Sequence, residues 1–209
     1  ILSLLKHDIQ IKDLLLKKNS AVSLNGATSI IGSLDKLPLL HHLMRLCPLP
    51  DLQFEKLFVS LRRLFLKNLD TMDVSSELIY FLSTLSIHCF TNEYVYIESD
   101  KETQLVDKLE VEIAQVIAQS EQPEAIKILC LASYRPLHQY DWCQKLECLD
   151  NLEEVKRRLI EEPLLEKMIA KDIPVLEEIS DDVSLKVREQ YEELSLIHIS
   201  EPTRPLYIS

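Results

Sequence analysis

An uncharged stretch of fifteen residues, Leu78–Asn92, lies near the middle of the chain and restricts its fold more than any other segment. Its apolar residues recur at intervals of three and four positions, the spacing of one buried helix face. A helix that crosses a bilayer needs about 20 mostly apolar residues, whereas this stretch is shorter and contains Ser, Thr and His. We therefore expect the central helix of a packed core. The residues expected on its buried face are Leu78, Phe81, Leu82, Leu85, Cys89 and Phe90.

The remaining apolar residues also follow helical spacing, so the sequence predicts an all-α fold. We expect about eight to ten helices, arranged as an irregular multi-helix bundle or as a helical-repeat-like array. The best candidate strand, Tyr94–Ile97, has only four residues. No strict period of about 33 to 47 residues recurs, so a regular solenoid is not indicated. The predicted helices cover residues 1–18, 36–47, 51–67, 78–92, 100–119, 123–134, 152–160, 163–170 and 181–193.

Polar residues and prolines predict where several of these helices begin. We expect Asp51 and Asp73 to cap the helices that follow them, because a carboxylate accepts hydrogen bonds from the free N–H groups of a first helical turn. Proline is tolerated in a first turn, so we expect Pro163 to start a new helix after a break. Two pairs are spaced as capping boxes. These pairs are Ser99 with Glu102 and Asp150 with Glu153.

The chain contains only two glycines, Gly26 and Gly32. Loops that cradle phosphates or dinucleotides need several glycines within a few residues, because the backbone must approach the ligand closely. The sequence therefore excludes a standard nucleotide or S-adenosylmethionine loop, and we expect no cofactor in this chain. It also lacks a Gly-flanked nucleophilic serine, so no catalytic residue is predicted.

Charge is distributed unevenly along the chain. Residues 1–97 carry ten Lys and Arg against nine Asp and Glu, whereas residues 98–193 carry twelve against twenty-four, a net charge of −12. Such an acidic half repels phosphate backbones, so no nucleic-acid partner is expected. We expect the two basic residues Arg62 and Arg63 to face away from the apolar stripe of their helix or to pair with acids.

The first residues and the cysteines are typical of a cytoplasmic protein. The chain opens on Ile1 without a charged leader before an apolar run, so we expect no signal peptide, membrane anchor or membrane partner. Its five cysteines are an odd number and are scattered without a CxxC pair. A disulfide framework is therefore not expected.

Histidines and cysteines occur together in three places where a metal or a catalytic pair has to be considered. The spacing in the first group does not match that of zinc ligands. The other two groups are sequence neighbours, which point in different directions on a helix. We therefore predict no metal site, and a core thiol at Cys89. The three groups are His138 with Cys143 and Cys148, His41 with His42, and His88 with Cys89.

A group of polar and aromatic residues follows two of the buried helices and is the best candidate for a functional surface. Buried polar groups need hydrogen-bond partners, or each costs about 1–3 kcal/mol. Two interpretations remain open. The group is either a polar network that fixes how neighbouring helices pack, with the arginine paired to acids, or a recognition patch for a partner. Its members are Asn92, Glu93, Tyr94, Tyr96, Tyr134, Arg135 and His138.

Five phrases of the sequence occur in the same order in a bacterial protein family. They are PDLQFEKLFVSLRRLF (50–65), HCFTNEYVY (88–96), LASYRPLH (131–138), EEPLLEKMIAKDIPVL (161–176) and DDVSLKVREQYEE (181–193). On these phrases the chain resembles the tetratricopeptide-repeat proteins that carry a class I S-adenosylmethionine-dependent methyltransferase domain. The resemblance covers about residues 36–193 and concerns the helical middle region of that family.

The resemblance implies a domain order. In the family, helical repeats come first, a region like this one follows, and the methyltransferase domain comes last, introduced by QYEE and then NPYPRW. Here QYEE is present at 190–193, but it is followed by LSLIHISEPTRPLYIS, which looks like the translated read-through of a sequencing adapter. We therefore expect an upstream helical end plus linker over 1–35, the helical middle domain over 36–170, a segment leading into a missing methyltransferase domain over 171–193, and a non-native tail over 194–209.

The resemblance also implies a function. We expect a helical, non-catalytic region of a methyltransferase, which packs between the repeats and the catalytic domain and aids binding of the methyl acceptor or of a partner protein. S-adenosylmethionine is then the cofactor of the missing domain, and the partners are other proteins or the protein's own missing domains. No catalytic or cofactor residue of the family falls on a position of this chain. The alternative is a non-enzymatic α-helical protein-interaction scaffold.

Overall fold

The computed structural model describes residues 30–149, 152–173 and 186. Within these ranges the protein contains seven α-helices and no strand, so the predicted all-α class is confirmed. The helices are α1 (Pro38–Leu46), α2 (Leu52–Asn68), α3 (Ser76–Thr91), α4 (Asp100–Ala118), α5 (Ala125–Ala132), α6 (Glu153–Lys156) and α7 (Glu162–Asp172). The number is lower than eight to ten because the helices predicted over residues 1–18 and 181–193 lie almost entirely outside the described residues.

The central helix predicted around Leu78 is confirmed as α3. Ten of its sixteen residues are buried, so α3 is enclosed by other elements, mainly α1 and α5, instead of showing one polar face. Phe90, which was also predicted on the buried face, is half-buried. Buried Ser83 donates to the carbonyl of Ile79 at 2.7 Å, so its hydroxyl is satisfied within the helix. Within the described ranges, no helix is long and apolar enough to cross a membrane.

The other helices complete one continuous apolar core around α3. Helix α2 contributes three phenylalanines, Phe54, Phe58 and Phe65, which are all buried. They recur at intervals of four and seven positions and therefore lie on one helix face. Helix α4 contributes a second buried row, which consists of Val106, Leu109, Ile113 and Ile117.

Two of the predicted helix starts are confirmed. Asp51 caps α2, where its carboxylate accepts hydrogen bonds from the N–H groups of Gln53 at 3.0 Å and Phe54 at 3.3 Å. Ser99 and Glu102 form the predicted capping box at the start of α4. Both devices use only neighbouring residues, which is why spacing alone predicts them.

The predicted cap of α3 is wrong by two residues. Ser75, not Asp73, precedes the helix, and its hydroxyl oxygen accepts from the N–H of Leu78 at 3.3 Å. Leu78 is the first buried residue of α3. Ser75 lies three positions before it, so the helix begins just before its first core residue. The capping box predicted from Asp150 lies outside the described residues, and α6 begins after Leu152 without a side-chain cap.

The prediction that Pro163 starts a new helix after a break is wrong. The chain is helical without a break from Glu153 to Asp172. Proline has no N–H to bond the carbonyl four residues earlier. The turn before it, Arg157–Glu161, widens to a π-helix, in which hydrogen bonds span five residues. This turn places Arg158 so that it donates to the hydroxyl of Thr91 at 3.1 Å and to the carbonyl of Arg45. The widened turn thus connects this helical segment to α1 and α3.

The chain divides into two compact units, Ile1–Glu166 and Lys167–Ser209. In the first unit, the described residues contain α1 to α6, the core and every candidate site residue. In the second, residues 167–173 form the last part of α7 and its end, and residue 186 is helical.

Candidate functional site

The seven candidate residues lie on two segments that follow α3 and α5. Tyr96 and Tyr134 are buried, whereas Glu93 is exposed. The other four are half-buried, namely Asn92, Tyr94, Arg135 and His138. Two buried side chains that the sequence did not single out as site residues, Arg62 and Glu102, connect the tyrosines to the rest of the core.

Arg62 of α2 is the charged centre of this region and is only 2% exposed. It donates to the carbonyl oxygens of Ser133 at 3.1 Å, Tyr96 at 3.3 Å and Ile97 at 3.2 Å. Its guanidinium carbon lies 4.0 Å from the ring centre of Tyr134, which is a close cation–π contact. The expectation that Arg62 faces away or pairs with an acid is therefore wrong, because backbone carbonyls and an aromatic face take the place of a carboxylate.

Glu102 is the acidic counterpart and is fully buried. It accepts hydrogen bonds from the N–H and hydroxyl of Ser99 at 3.0 and 2.6 Å and from the hydroxyl of Tyr134 at 3.1 Å. It also pairs with Arg63 at 2.9 Å, so the expected acid partner of Arg63 is present. Burial acts to raise the pKa of Glu102, but the bonds from Arg63 and Ser99 outweigh it and lower the pKa to about 2. Tyr134 thus connects Arg62 to the carboxylate that Arg63 contacts directly.

His88 of α3 forms the third part of the network. Its Nδ1 lies 2.9 Å from the carbonyl oxygen of Met44, which can only accept, so Nδ1 carries the proton. Its Nε2 then accepts from the hydroxyl of Tyr96 at 2.7 Å. Burial lowers the pKa of His88 to about 4. The hydrogen bond to the Met44 carbonyl acts to raise the pKa, but its effect is smaller. A neutral, fully buried imidazole with both nitrogens bonded fixes α1, α3 and the following segment to each other.

Arg135 lies at the edge of this network and pairs with acids. It donates to both carboxylate oxygens of Glu98, at 2.7 and 2.9 Å, and its Nε lies 3.7 Å from Glu110. The hydrogen bond to Glu98 raises the pKa of Arg135. The hydroxyl of Tyr140 donates to Glu110 as well. Arg135 thereby links the turn after α5 to Glu110 of α4 and to Glu98, the residue before the capping box of α4.

Glu93 and Tyr94 have an unusual backbone, with φ angles of 51° and 56°. This left-handed region is unfavourable for residues with a side chain, so two adjacent residues there are held by the surrounding structure. The ring of Tyr94 contacts Phe90, with 6.4 Å between ring centres, and Phe90 contacts His138 at 6.0 Å. The Tyr94 hydroxyl is buried and has no hydrogen-bond partner among the residues that the structure describes.

The two tyrosines Tyr94 and Tyr134 should respond oppositely to the loss of their hydroxyl groups. Tyr94→Phe removes an unsatisfied buried group, so we expect the free energy of unfolding to stay constant or to rise by about 1 kcal/mol. Tyr134→Phe removes a bond to the buried carboxylate of Glu102, so we expect a loss of about 1.5–3 kcal/mol. Urea unfolding of both variants measures the difference. An equal loss in both would mean that Tyr94 has a bonding role.

The groups considered for metal binding or catalysis have other partners. Among the described residues, no cluster of three or more His, Cys, Asp and Glu is arranged to hold a metal ion. His41 lies 3.1 Å from the carbonyl oxygen of Leu34 and 3.2 Å from the hydroxyl of Thr84, and burial lowers its pKa. Burial raises the pKa of Cys89 to about 12, so its thiol stays protonated and unreactive.

A groove between α3 and the start of α6 is a second candidate site. Its volume is about 450 Å³, within the range of about 300–1,000 Å³ that is typical of binding pockets. Ser76 and Ser83 are seven residues apart on one face of α3, and their small side chains leave this space open. The groove was not predicted from the sequence, although the seven-residue spacing of these serines was a usable signal. The walls consist of Ser76, Ile79, Tyr80, Ser83 and Ile87 from α3, Arg45 from α1, and residues 152–155.

The charged residues of the groove are not balanced. Arg45 donates to the hydroxyl of Thr84 at 2.9 and 3.1 Å, lies 4.9 Å from the ring centre of Tyr80, and forms an ion pair with Glu154. Glu153 is exposed next to this pair and has no ion-pair partner within the described ranges. The groove therefore combines an apolar interior with one free negative charge at its rim.

Comparison with known proteins does not extend these observations. No protein-family model, curated protein or solved structure matches this chain. The methyltransferase family named from the five phrases therefore stays a prediction, and the evidence about function is the geometry of the network and of the groove.

Proposed function

We propose that this chain is the helical, non-catalytic region of an S-adenosylmethionine-dependent methyltransferase, in which it packs between tetratricopeptide repeats and the catalytic domain. In this role it holds its neighbours in position and aids binding of the methyl acceptor or of a partner protein in the cytoplasm. The proposal is supported by the order of the five sequence phrases and by the way the fold uses its polar residues.

The observation that carries the proposal is that the buried polar side chains at the ends of α3 and α5 are bonded inside the protein. Arg62, His88 and Glu102 are all buried and together join α1, α2, α3 and α4 to the ends of α3 and α5. Buried polar groups that bond each other stabilise one particular packing and are not accessible to a substrate. This arrangement supports a non-catalytic, packing role for the region.

Apolar side chains on the surface support a packing role. Val95 and Ile97 are 65% and 74% exposed, on the segment between α3 and α4. Arg62 holds this segment through the carbonyl oxygens of Tyr96 and Ile97. An apolar pair on a fixed segment is suited to contact with a neighbouring domain.

The described residues offer no glycine-rich loop of the kind that holds S-adenosylmethionine. Gly32 is the only glycine among them, and a Cβ placed on it would meet no atom within 4 Å. The position therefore shows no close backbone approach that only glycine permits. We accordingly assign the cofactor to a domain outside these residues and derive no reaction step for this chain.

The proposal is tested by recovering the gene beyond the codon for Glu193 and by measuring S-adenosylmethionine binding calorimetrically. We expect a glycine-rich strand-to-helix turn within some tens of codons, and methyl-donor binding by the full-length product but not by residues 1–193. Binding or turnover by residues 1–193 alone would contradict the non-catalytic role. A natural reading frame through the final sixteen codons to a stop codon would contradict the methyltransferase assignment.

A non-enzymatic α-helical interaction scaffold is the second candidate, and the groove between α3 and α6 favours it. A scaffold needs a binding surface but no cofactor, and this groove offers an apolar one. The same gene sequence separates the two candidates, because a stop codon or further helical repeats downstream would be expected only of the scaffold.

A further inference from the structure

We infer that the groove between α3 and α6 binds an amphipathic helix of a partner protein, which presents a row of apolar side chains flanked by Lys or Arg. The inference rests on the partner-binding role proposed above but does not depend on the methyltransferase assignment. It is argued from the shape, the backbone and the charge of the groove.

The shape of the groove suits the side chains of one helix face. The groove-lining residues of α3 extend from Ser76 to Ile87, which is three helical turns or about 16 Å. Ile87 and Val155 are buried at its base, whereas Ser76 and Tyr80 are exposed at its edge. A volume of about 450 Å³ accommodates a few large apolar side chains but not a whole helix. The partner helix therefore lies along the groove and inserts its apolar row.

The backbone around the groove excludes an extended peptide as the preferred occupant. Peptides that bind in an extended conformation add a strand to an open sheet edge, where free N–H and C=O groups are available. Both long walls here are helical or lead into a helix, and the middle of α3 has its backbone groups bonded internally. A helix brings its own backbone hydrogen bonds and needs only an apolar surface.

The charge of the groove selects a basic flank. Arg45 is neutralised by Glu154, so it does not attract an anionic partner. Glu153 remains at the rim as an exposed carboxylate without an ion-pair partner in the described part of the chain. The described residues of the same unit act in the same direction at longer range, because residues 98–149 and 152–166 carry eight Lys and Arg against fifteen Asp and Glu. A Lys or Arg beside the apolar row is therefore the complementary residue.

The test uses the full chain and a fluorescent peptide of about 14 residues, made of Leu and Lys with all Leu on one helix face. Binding is followed by fluorescence anisotropy at physiological salt. We expect this peptide to bind and the same pattern with Glu in place of Lys not to bind. Glu153→Lys should weaken binding about tenfold, because attraction is replaced by repulsion. Ser76→Trp, at the exposed edge, should weaken it at least as much by filling the groove.

Glu121→Lys is the matched control, because it changes the charge equally at an exposed residue that does not line the groove. Equal weakening by Glu121→Lys and Glu153→Lys would show non-specific attraction and would overturn the inference. So would equal affinity for the Glu peptide, or unchanged binding by both groove variants when circular dichroism shows that they are folded. If sedimentation shows a dimer that Ser76→Trp disrupts, the groove holds a second copy and the inference is wrong. No methyl donor is present, so the result is independent of the enzymatic assignment.

Discussion

Replacing Arg62 with alanine should lower the free energy of unfolding by about 3–5 kcal/mol. The substitution leaves the buried carbonyls of Ser133 and Tyr96 without a donor and removes a bond to the part-buried carbonyl of Ile97. Each unsatisfied buried group costs about 1–3 kcal/mol. It also leaves a cavity beside Tyr134. Arg62→Met should cost less, because methionine refills part of the volume and no buried charge needs partners. Urea unfolding at neutral pH, followed by circular dichroism, measures both losses.

Lys56→Ala is the control for this experiment. Lys56 is on the same helix, has the same charge and is exposed, so its removal should change the free energy of unfolding by no more than about 0.5 kcal/mol. A loss in Arg62→Ala as small as that in Lys56→Ala would mean that the guanidinium does not hold the ends of α3 and α5 together. The polar network would then not be the basis of the packing role proposed here.

Lowering the pH from 6.5 to 4 should reduce the free energy of unfolding by about 3 kcal/mol through the protonation of His88 alone. The pKa of His88 is lowered from 6.5 to about 4 by burial, so the unfolded chain binds a proton in this range before the folded chain does. The stabilisation is complete above pH 6.5 and is lost as the pH falls towards 4. His41, whose pKa burial also lowers, adds to the loss. Urea unfolding at half-unit pH steps measures the slope.

Two other groups define the controls for the pH experiment. Glu102 has a pKa of about 2, below the ordinary 4.5, so its stabilisation is present above pH 4.5 and is lost only as the pH falls towards 2. His88→Asn should flatten the slope between pH 6.5 and 4, whereas the exposed His42→Asn should leave it unchanged. An imidazole pKa near 6.5 for His88 in an NMR titration of the unmodified protein would refute the prediction even if His88→Asn does not fold.

The elements that were predicted correctly depend on neighbours in sequence. The three- and four-residue spacing around Leu78 identifies α3 because a helix repeats every 3.6 residues. The capping box of Ser99 and Glu102 was predicted for the same reason, since both partners belong to one turn. The cap at Asp73 was placed wrongly because Asp73 and Ser75 are both good caps, and only the burial of Leu78 decides between them.

The features that were missed depend on residues far apart in the chain. Arg62 was predicted to face away from the apolar stripe of α2 or to pair with acids, although it lies four positions from both Phe58 and Leu66 and therefore on their face of the helix. That pattern does not show which groups would satisfy its charge. The acceptors come from Tyr96, Ile97 and Ser133, 34 to 71 positions later in the chain. The groove was missed for a related reason, because its two walls, α3 and residues 152–155, meet only in the folded protein.

The sequence by itself determined the all-α class, the central helix, the starts of α2 and α4, and the lack of a glycine-rich cofactor loop. These properties follow from periodicity, capping and composition, which act within a few residues. Only the tertiary structure decided that Arg62, His88 and Glu102 are bonded inside the core and that a groove opens beside Ser76 and Ser83. Whether a polar residue serves packing or binding depends on which groups surround it, and those groups are brought together by folding.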